Sequence, residues 1–156
     1  FCPVSRLLAA GINIALGTDS AASNNDLDMF SEMRTAALLA KGVANDTRAL
    51  PAHQALRMAT LNGAVALGIG AETGSLEPGK RADITAVNLG SPDTQPIYHP
   101  ISQLVYATGR DKVSDVWVSG RQVLRERVLT TMDLQEILSR TADWQVRISQ
   151  GSGENL

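Results

Sequence analysis

Cysteine is nearly absent from this 156-residue chain. Cys2 stands alone, so no internal disulfide and no Cys-x-x-Cys metal knuckle can form. Histidine is almost as scarce, with only His53 and His99 and no His-x-His pair. A zinc centre takes about four ligands and cannot be completed from this set. Two Trp, two Tyr and two Phe leave little for a base-stacking platform. No Lys/Arg block stands out, and 14 basic against 16 acidic residues give a net charge of −2. Nucleic acid and polybasic membrane binding are therefore not expected. No apolar run approaches the roughly 20 residues of a transmembrane helix. No signal-peptide pattern opens the chain, so a cytoplasmic, reducing setting is expected. The first residue is Phe1 rather than Met, and truncation is the working expectation.

What is present reads as α/β. Pro3 to Ala10 suits a short helix closed by Gly11. Ile12 to Thr18 is a short apolar run ending at Asp19, like a parallel strand covered on both faces. SAASNN (20–25) is a polar loop, with Asn25 or Asp26 as helix cap. The next helix runs from about Leu27 to Lys41, with Leu27, Phe30, Ala37 and Leu38 facing inward and Gly42 as its stop. Further helices are expected from Pro51 and after Thr60. Met29, Met33 and Met58 read as core filler.

The texture changes near residue 70. Glu77-Pro78-Gly79-Lys80 predicts a type II turn with Gly79 at positive φ. Ala82 to Leu89 is strand-like, and residues 100–108 suit a short helix. Ser119-Gly120, between Val113–Val118 and Gln122–Leu124, signals a hairpin. Arg121 to Arg127 reads as its solvated face. Asp133 caps a helix carrying Leu134, Ile137, Leu138, Thr141, Trp144 and Ile148 on one side, with Glu136 at the capping-box position. Four units follow: 1–69, the end of an α/β domain; 70–130, part of a small β domain; 131–150, a closing helix; and 151–156, a disordered tail.

Asp19 is the leading chemical group, because functional carboxylates of α/β folds stand at strand carboxyl ends. It could ligate a divalent metal or act as a base. It could equally cap an Asx turn, and spacing alone leaves that reading ahead. His53 reads as a helix-start residue, His99 as a surface or interface residue, and Cys2 as a buried small residue.

GTDSAASNNDLDMFSEMRTAALLAK (17–41) resembles the last barrel strand and following helix of the amidohydrolase superfamily. ALRMATLNGAVALGI with GSLEPGKRADITAVNL (55–89) is similar to that superfamily's join from barrel to β-sandwich. VSDVWVSGRQVLRE (113–126) looks like its closing hairpin. Within the superfamily the chain looks most like methylthioadenosine/S-adenosylhomocysteine deaminases and triazine hydrolases. The resemblance implies the C-terminal fragment of a metal-dependent (β/α)8 barrel plus part of a β-sandwich. A complete barrel needs roughly 250 residues, which fits that implication. The family's metal is held by an HxH pair, a later His and an Asp; only the Asp maps here, onto Asp19.

Asp19 is thereby expected to be catalytic, metal-ligating and substrate-contacting, with Ser20, Ser23 and Asn24 on the pocket rim. The implied cofactor is a divalent metal, zinc first and iron as the alternative, with the other ligands absent from this chain. The implied partner is a small molecule, a nucleoside or heteroaromatic ring, in an enzyme that could be a homo-oligomer. The implied reaction is hydrolytic deamination of an adenosine-type nucleoside. Its rivals are a triazine chlorohydrolase or aminohydrolase, and a non-catalytic interaction domain. The fragment alone is expected to be inactive.

Overall fold

The computed structural model describes residues 1–151. Its elements in chain order are α1 (Val4–Ala9), α2 (Met29–Ala44), α3 (Ala52–Met58), α4 (Leu61–Ala66), β1 (Ile84–Val87) and α5 (Pro100–Tyr106). A single 3-10 turn (Arg110–Lys112) then leads into β2 (Val113–Val118), β3 (Arg121–Arg125), β4 (Val128–Leu129) and α6 (Leu134–Gly151).

The core is a cluster of helices. Met33, Ala37 and Ala40 recur on one stripe of α2 and pack with Leu50, Ala52, Ala55, Met58 and Val105. Alanines on the facing helices let the backbones approach closely, and Met33 and Met58 fill the gaps left over. Leu27 and Leu38, expected inside, are each 55 % exposed. One residue turns an α-helix by about 100°, which carries Leu38 off the stripe set by Ala37. The expected cap is also displaced. Asp26 is engaged by Arg110 and its N–H by Asn24. Asp28 therefore caps α2 instead, accepting from the Phe30 N–H at 2.9 Å. The helix runs through Gly42 and ends at Asn45, left-handed at φ 49.

Ile12 to Thr18 is extended but forms no strand ladder. A ladder needs a neighbouring strand, and no strand among the described residues lies beside it. One face is covered: Ile14 and Leu16 pack on the helical core, while Asn13, Ala15, Gly17 and Asp19 are exposed. The two-sided burial expected of this segment is thus one-sided here. Cys2, expected to be buried, is exposed, since α1 has no buried residue.

The sheet is antiparallel in the order β1-β2-β3-β4. Ile84 pairs with Trp117 and Ala86 with Asp115; Val118 pairs with Arg121. Ser119 (φ 50) and Gly120 (φ 79) both take positive φ, as a two-residue hairpin turn that follows strand twist requires. β4 extends what the sequence suggested was a plain solvated face, and Arg127 turns back to donate to the Val113 carbonyl at 3.1 Å. Gly79 has φ +92, and the Lys80 N–H reaches the Glu77 carbonyl at 3.1 Å, which closes the expected turn. α5, which follows the first strand in sequence, packs back on α2 and α3.

Asp133 caps α6 through the N–H groups of Gln135 and Glu136 (2.8 and 3.1 Å). None of the described residues of α6 is buried. Gly151, expected to open a disordered tail at 151–156, closes this helix instead; the rest of that tail lies outside the described residues.

Candidate functional site

Asp19 ends the extended segment, and the α3–α4 joint fixes that segment's path. The Leu16 N–H donates to the Met58 carbonyl at 3.0 Å, and Asn62 Nδ2 donates to the Ile14 carbonyl at 3.0 Å. Asp19 itself is exposed and sits at φ 61, a left-handed backbone that Asp and Asn tolerate better than most residues. Its Oδ1 accepts the Ser20 N–H at 2.8 Å. Oδ2 has no hydrogen-bond partner among the described residues.

The loop behind it is a closed knot. The Ser20 carbonyl accepts from the N–H groups of Ser23 and Asn24 (3.1 and 2.8 Å), and the Ser20 and Ser23 hydroxyls meet at 3.0 Å. Asn24 is spent at both ends. Nδ2 donates to Glu32 Oε1 at 2.9 Å and Oδ1 accepts the Asp26 N–H at 3.0 Å. Ser20 and Ser23 are exposed next to Asp19, while Asn24 shapes the loop. Sequence reasoning missed Glu32 and Arg110, because their loop partners lie 8 and 84 residues away.

Other titratable groups do not converge on Asp19. No three His, Cys, Asp or Glu side chains gather to hold a metal among the described residues. His53 and His99, both exposed, line a separate cleft of ≈ 320 Å³ with Pro51 and Pro100. A larger apolar cleft of ≈ 560 Å³ lies between α2, α3 and β1, with Phe30, Leu56, Leu76 and Val87 in its walls. Asp83 is its one carboxylate. That group accepts from the Ser119 N–H (2.6 Å) and the Thr73 hydroxyl (2.7 Å), and these bonds hold its pKa below the ordinary value. A carboxylate so committed is a structural brace for the β1 end of the sheet.

Exposed Asp19, the polar loop and α2 together make up the stretch 17–41 on which the resemblance rests, though no strand precedes Asp19 among the described residues. The amidohydrolase family matches residues 1–123, and the chain belongs to that family. A 5-methylthioadenosine/S-adenosylhomocysteine deaminase of Teredinibacter turnerae is 50 % identical over 147 residues, 94 % of this chain and 33 % of the relative. The deaminase of the same description from Moorella thermoacetica is 49 % identical over 138 residues, 88 % of this chain and 32 % of the relative. Among solved structures, an adenosine deaminase from Xanthomonas campestris with bound zinc superposes with a TM-score of 0.93 at 53 % identity, covering 96 % of this chain and 34 % of that one. An atrazine chlorohydrolase from Arthrobacter aurescens complexed with zinc gives 0.85 at 30 % identity, covering 92 % and 32 %. The chain spans about a third of the length of the relatives it matches. No helix among the described residues is long and apolar enough to cross a membrane.

Proposed function

We propose that this chain carries the metal-binding aspartate of a deaminase that hydrolyses methylthioadenosine, S-adenosylhomocysteine or a related adenosine-type nucleoside. In this reading residues 1–69 end a (β/α)8 barrel, 70–130 contribute to a β-sandwich, and 131–150 form a closing helix. The observation that carries it is Asp19 itself. The chain is held at Ile14 and Leu16 before it and at Ser20 after it, one carboxylate oxygen accepts the Ser20 N–H, and the other is open.

The fit to a divalent metal, zinc in the first place, is that of one ligand. A zinc site takes about four, and this chain offers one suitably placed carboxylate, so the imidazole ligands must come from elsewhere in the protein. When bound, such a metal supplies Lewis acidity and lowers the pKa of water to about 7. Asp19 has two tasks beside it. Oδ1, held by Ser20, fixes the carboxylate plane. Oδ2 takes a proton from the attacking water and returns it to the leaving amine. One water is consumed: one of its protons departs with the amine as ammonia, the other ends on the adjacent ring nitrogen, and the ring C–NH2 becomes a ring carbonyl. Ser20 and Ser23 present hydroxyls on the rim for a polar small molecule. A triazine substrate is the second reading, drawn from the chlorohydrolase neighbour; the higher identity to nucleoside deaminases favours the first.

The test is Asp19→Asn in the full-length protein, with bound zinc, ammonia release from methylthioadenosine and chloride release from atrazine all measured. Wild type is expected to release ammonia and not chloride. The variant is expected to keep its fold and lose at least about 100-fold in turnover, the usual scale of a removed proton-transfer group. Turnover within a few-fold of wild type at full metal occupancy would sink the assignment.

A further inference from the structure

The loop between Asp19 and α2 is held from across the molecule. Asp26 lies in that loop, and its carboxylate pairs with Arg110 on the 3-10 turn that leads into the sheet. Asp26 is no free passenger. Its N–H is bound to Asn24 Oδ1 at 3.0 Å, and its carbonyl accepts the Asp28 N–H at 2.7 Å. Asn24 in turn is bound to Glu32 on α2 and, through its N–H, to the Ser20 carbonyl. A pull on Asp26 is therefore transmitted through Asn24 and its two hydrogen bonds to Ser20, whose N–H orients Asp19.

The other end of the tether is firm. Arg34 Nη2 on α2 donates to the Thr108 carbonyl at 2.9 Å. Thr108 is fully buried, and its hydroxyl donates to the Gln103 carbonyl at 2.8 Å. Arg110 thus projects from backbone anchored two residues earlier.

We propose that Arg110 is a positioning residue for the Asp19 loop, acting through Asp26 and Asn24 and coupling the start of β2 to the reaction site. The role rests on the deaminase reading of Asp19. Because Asp26 and Arg110 are both more than half exposed, the coupling is modest and sensitive to salt.

The experiment uses the full-length protein with Arg110→Gln, Asp26→Asn, and the charge swap Asp26→Arg with Arg110→Asp. Each single variant is expected to raise KM by about two- to five-fold, the range an exposed pair can carry, with kcat held. The gap to wild type is expected to close near 1 M salt, where the Debye length is about 3 Å. Amide exchange of residues 20–28 is expected to quicken in both single variants, and the swap to recover KM and exchange together. Unchanged exchange at 20–28 in Arg110→Gln, a KM change that ignores salt, or a swap no better than either single variant would each overturn the coupling. The exchange readout needs no substrate. A wild type without deaminase activity therefore defeats the functional reading alone, and exchange still decides the tether.

Discussion

Asn13 and Asn62 bind the extended segment to the start of α4 as a two-way clasp. Asn13 Nδ2 donates to the Asn62 carbonyl at 3.0 Å, and Asn62 Nδ2 donates to the carbonyl of the adjacent Ile14 at 3.0 Å. Side-chain amides here do the work that a neighbouring strand would do for the backbone. Asn62→Ala should remove the second bond and leave the Ile14 carbonyl unpaired, a cost of about 1–3 kcal/mol. Amide exchange at residues 14–18 should quicken ahead of the rest of the molecule. Unchanged protection there would show that the apolar contacts of Ile14 and Leu16 alone hold the segment.

Lys41 plays a comparable part at the far end of α2. Its Nζ donates to the carbonyls of Ala49 (2.7 Å) and Leu50 (3.0 Å) and to the Tyr106 hydroxyl (3.0 Å). Leu50 is buried and sits at φ 43, so this ammonium satisfies a strained loop closing on the core. Lys41→Met keeps the aliphatic stem and removes the donor. A loss of about 1–3 kcal/mol is expected, read as a lowered denaturant midpoint. Tyr106→Phe removes one partner of several and should cost less.

Two glycines with positive φ should respond differently to alanine. Gly79 (φ +92) has nothing within 4 Å of an added Cβ, so only the backbone penalty applies, about 1–2 kcal/mol. Gly74 (φ +90) would place that Cβ 2.7 Å from Ala64 Cβ and 2.9 Å from Leu61 Cα. Gly74→Ala must therefore also push α4 away and should be the more destabilising in thermal melts. Equal melting temperatures would refute the contact argument.

The carboxyl of Asp93 is held down at about 2, first by Lys112 and then by the Ser91 hydroxyl. A folded-state value below the unfolded one gives a contribution that is complete above about pH 4. It fades as the pH falls from there through about 2. Asp93 is largely exposed, so the effect on overall stability is small. The site readout is direct: carboxyl-carbon NMR should show Asp93 titrating near 2, and Lys112→Met should raise its midpoint. A midpoint at the ordinary value in the unaltered protein would rule out the pairing.

The parts legible in the sequence are those that short spacings determine. Ser119-Gly120 announced its hairpin because the turn's positive φ angles select such residues, and Asp133 announced α6 because a cap and its helix are neighbours. Asp19 stood out by its place after an apolar run, but only the resemblance put the metal reading ahead, since a turn and a metal site ask for the same carboxylate. Features set by distant partners were hidden. Asp28 caps α2 in place of Asp26 because Arg110, far along the chain, claims Asp26. The run at 12–18 looks like a strand by composition, yet ladder formation depends on neighbours that its own residues do not specify. Leu38 looked like core by hydrophobicity, but Ala37 and Ala40 set the stripe.

The clasp between Asn13 and Asn62 also orders events in time. Its bonds span 49 and 48 residues, whereas the hairpin of β2 and β3 closes over two. Contacts near in sequence form first, because distant ones must first pay for closing the intervening loop. The β2–β3 hairpin and α2 can organise early; the segment that ends at Asp19 can dock only once α3 and α4 have met. In a refolding experiment, protection at residues 14–18 should trail protection of β2 and β3, so the Asp19 carboxylate reaches its place only after the hairpin has closed.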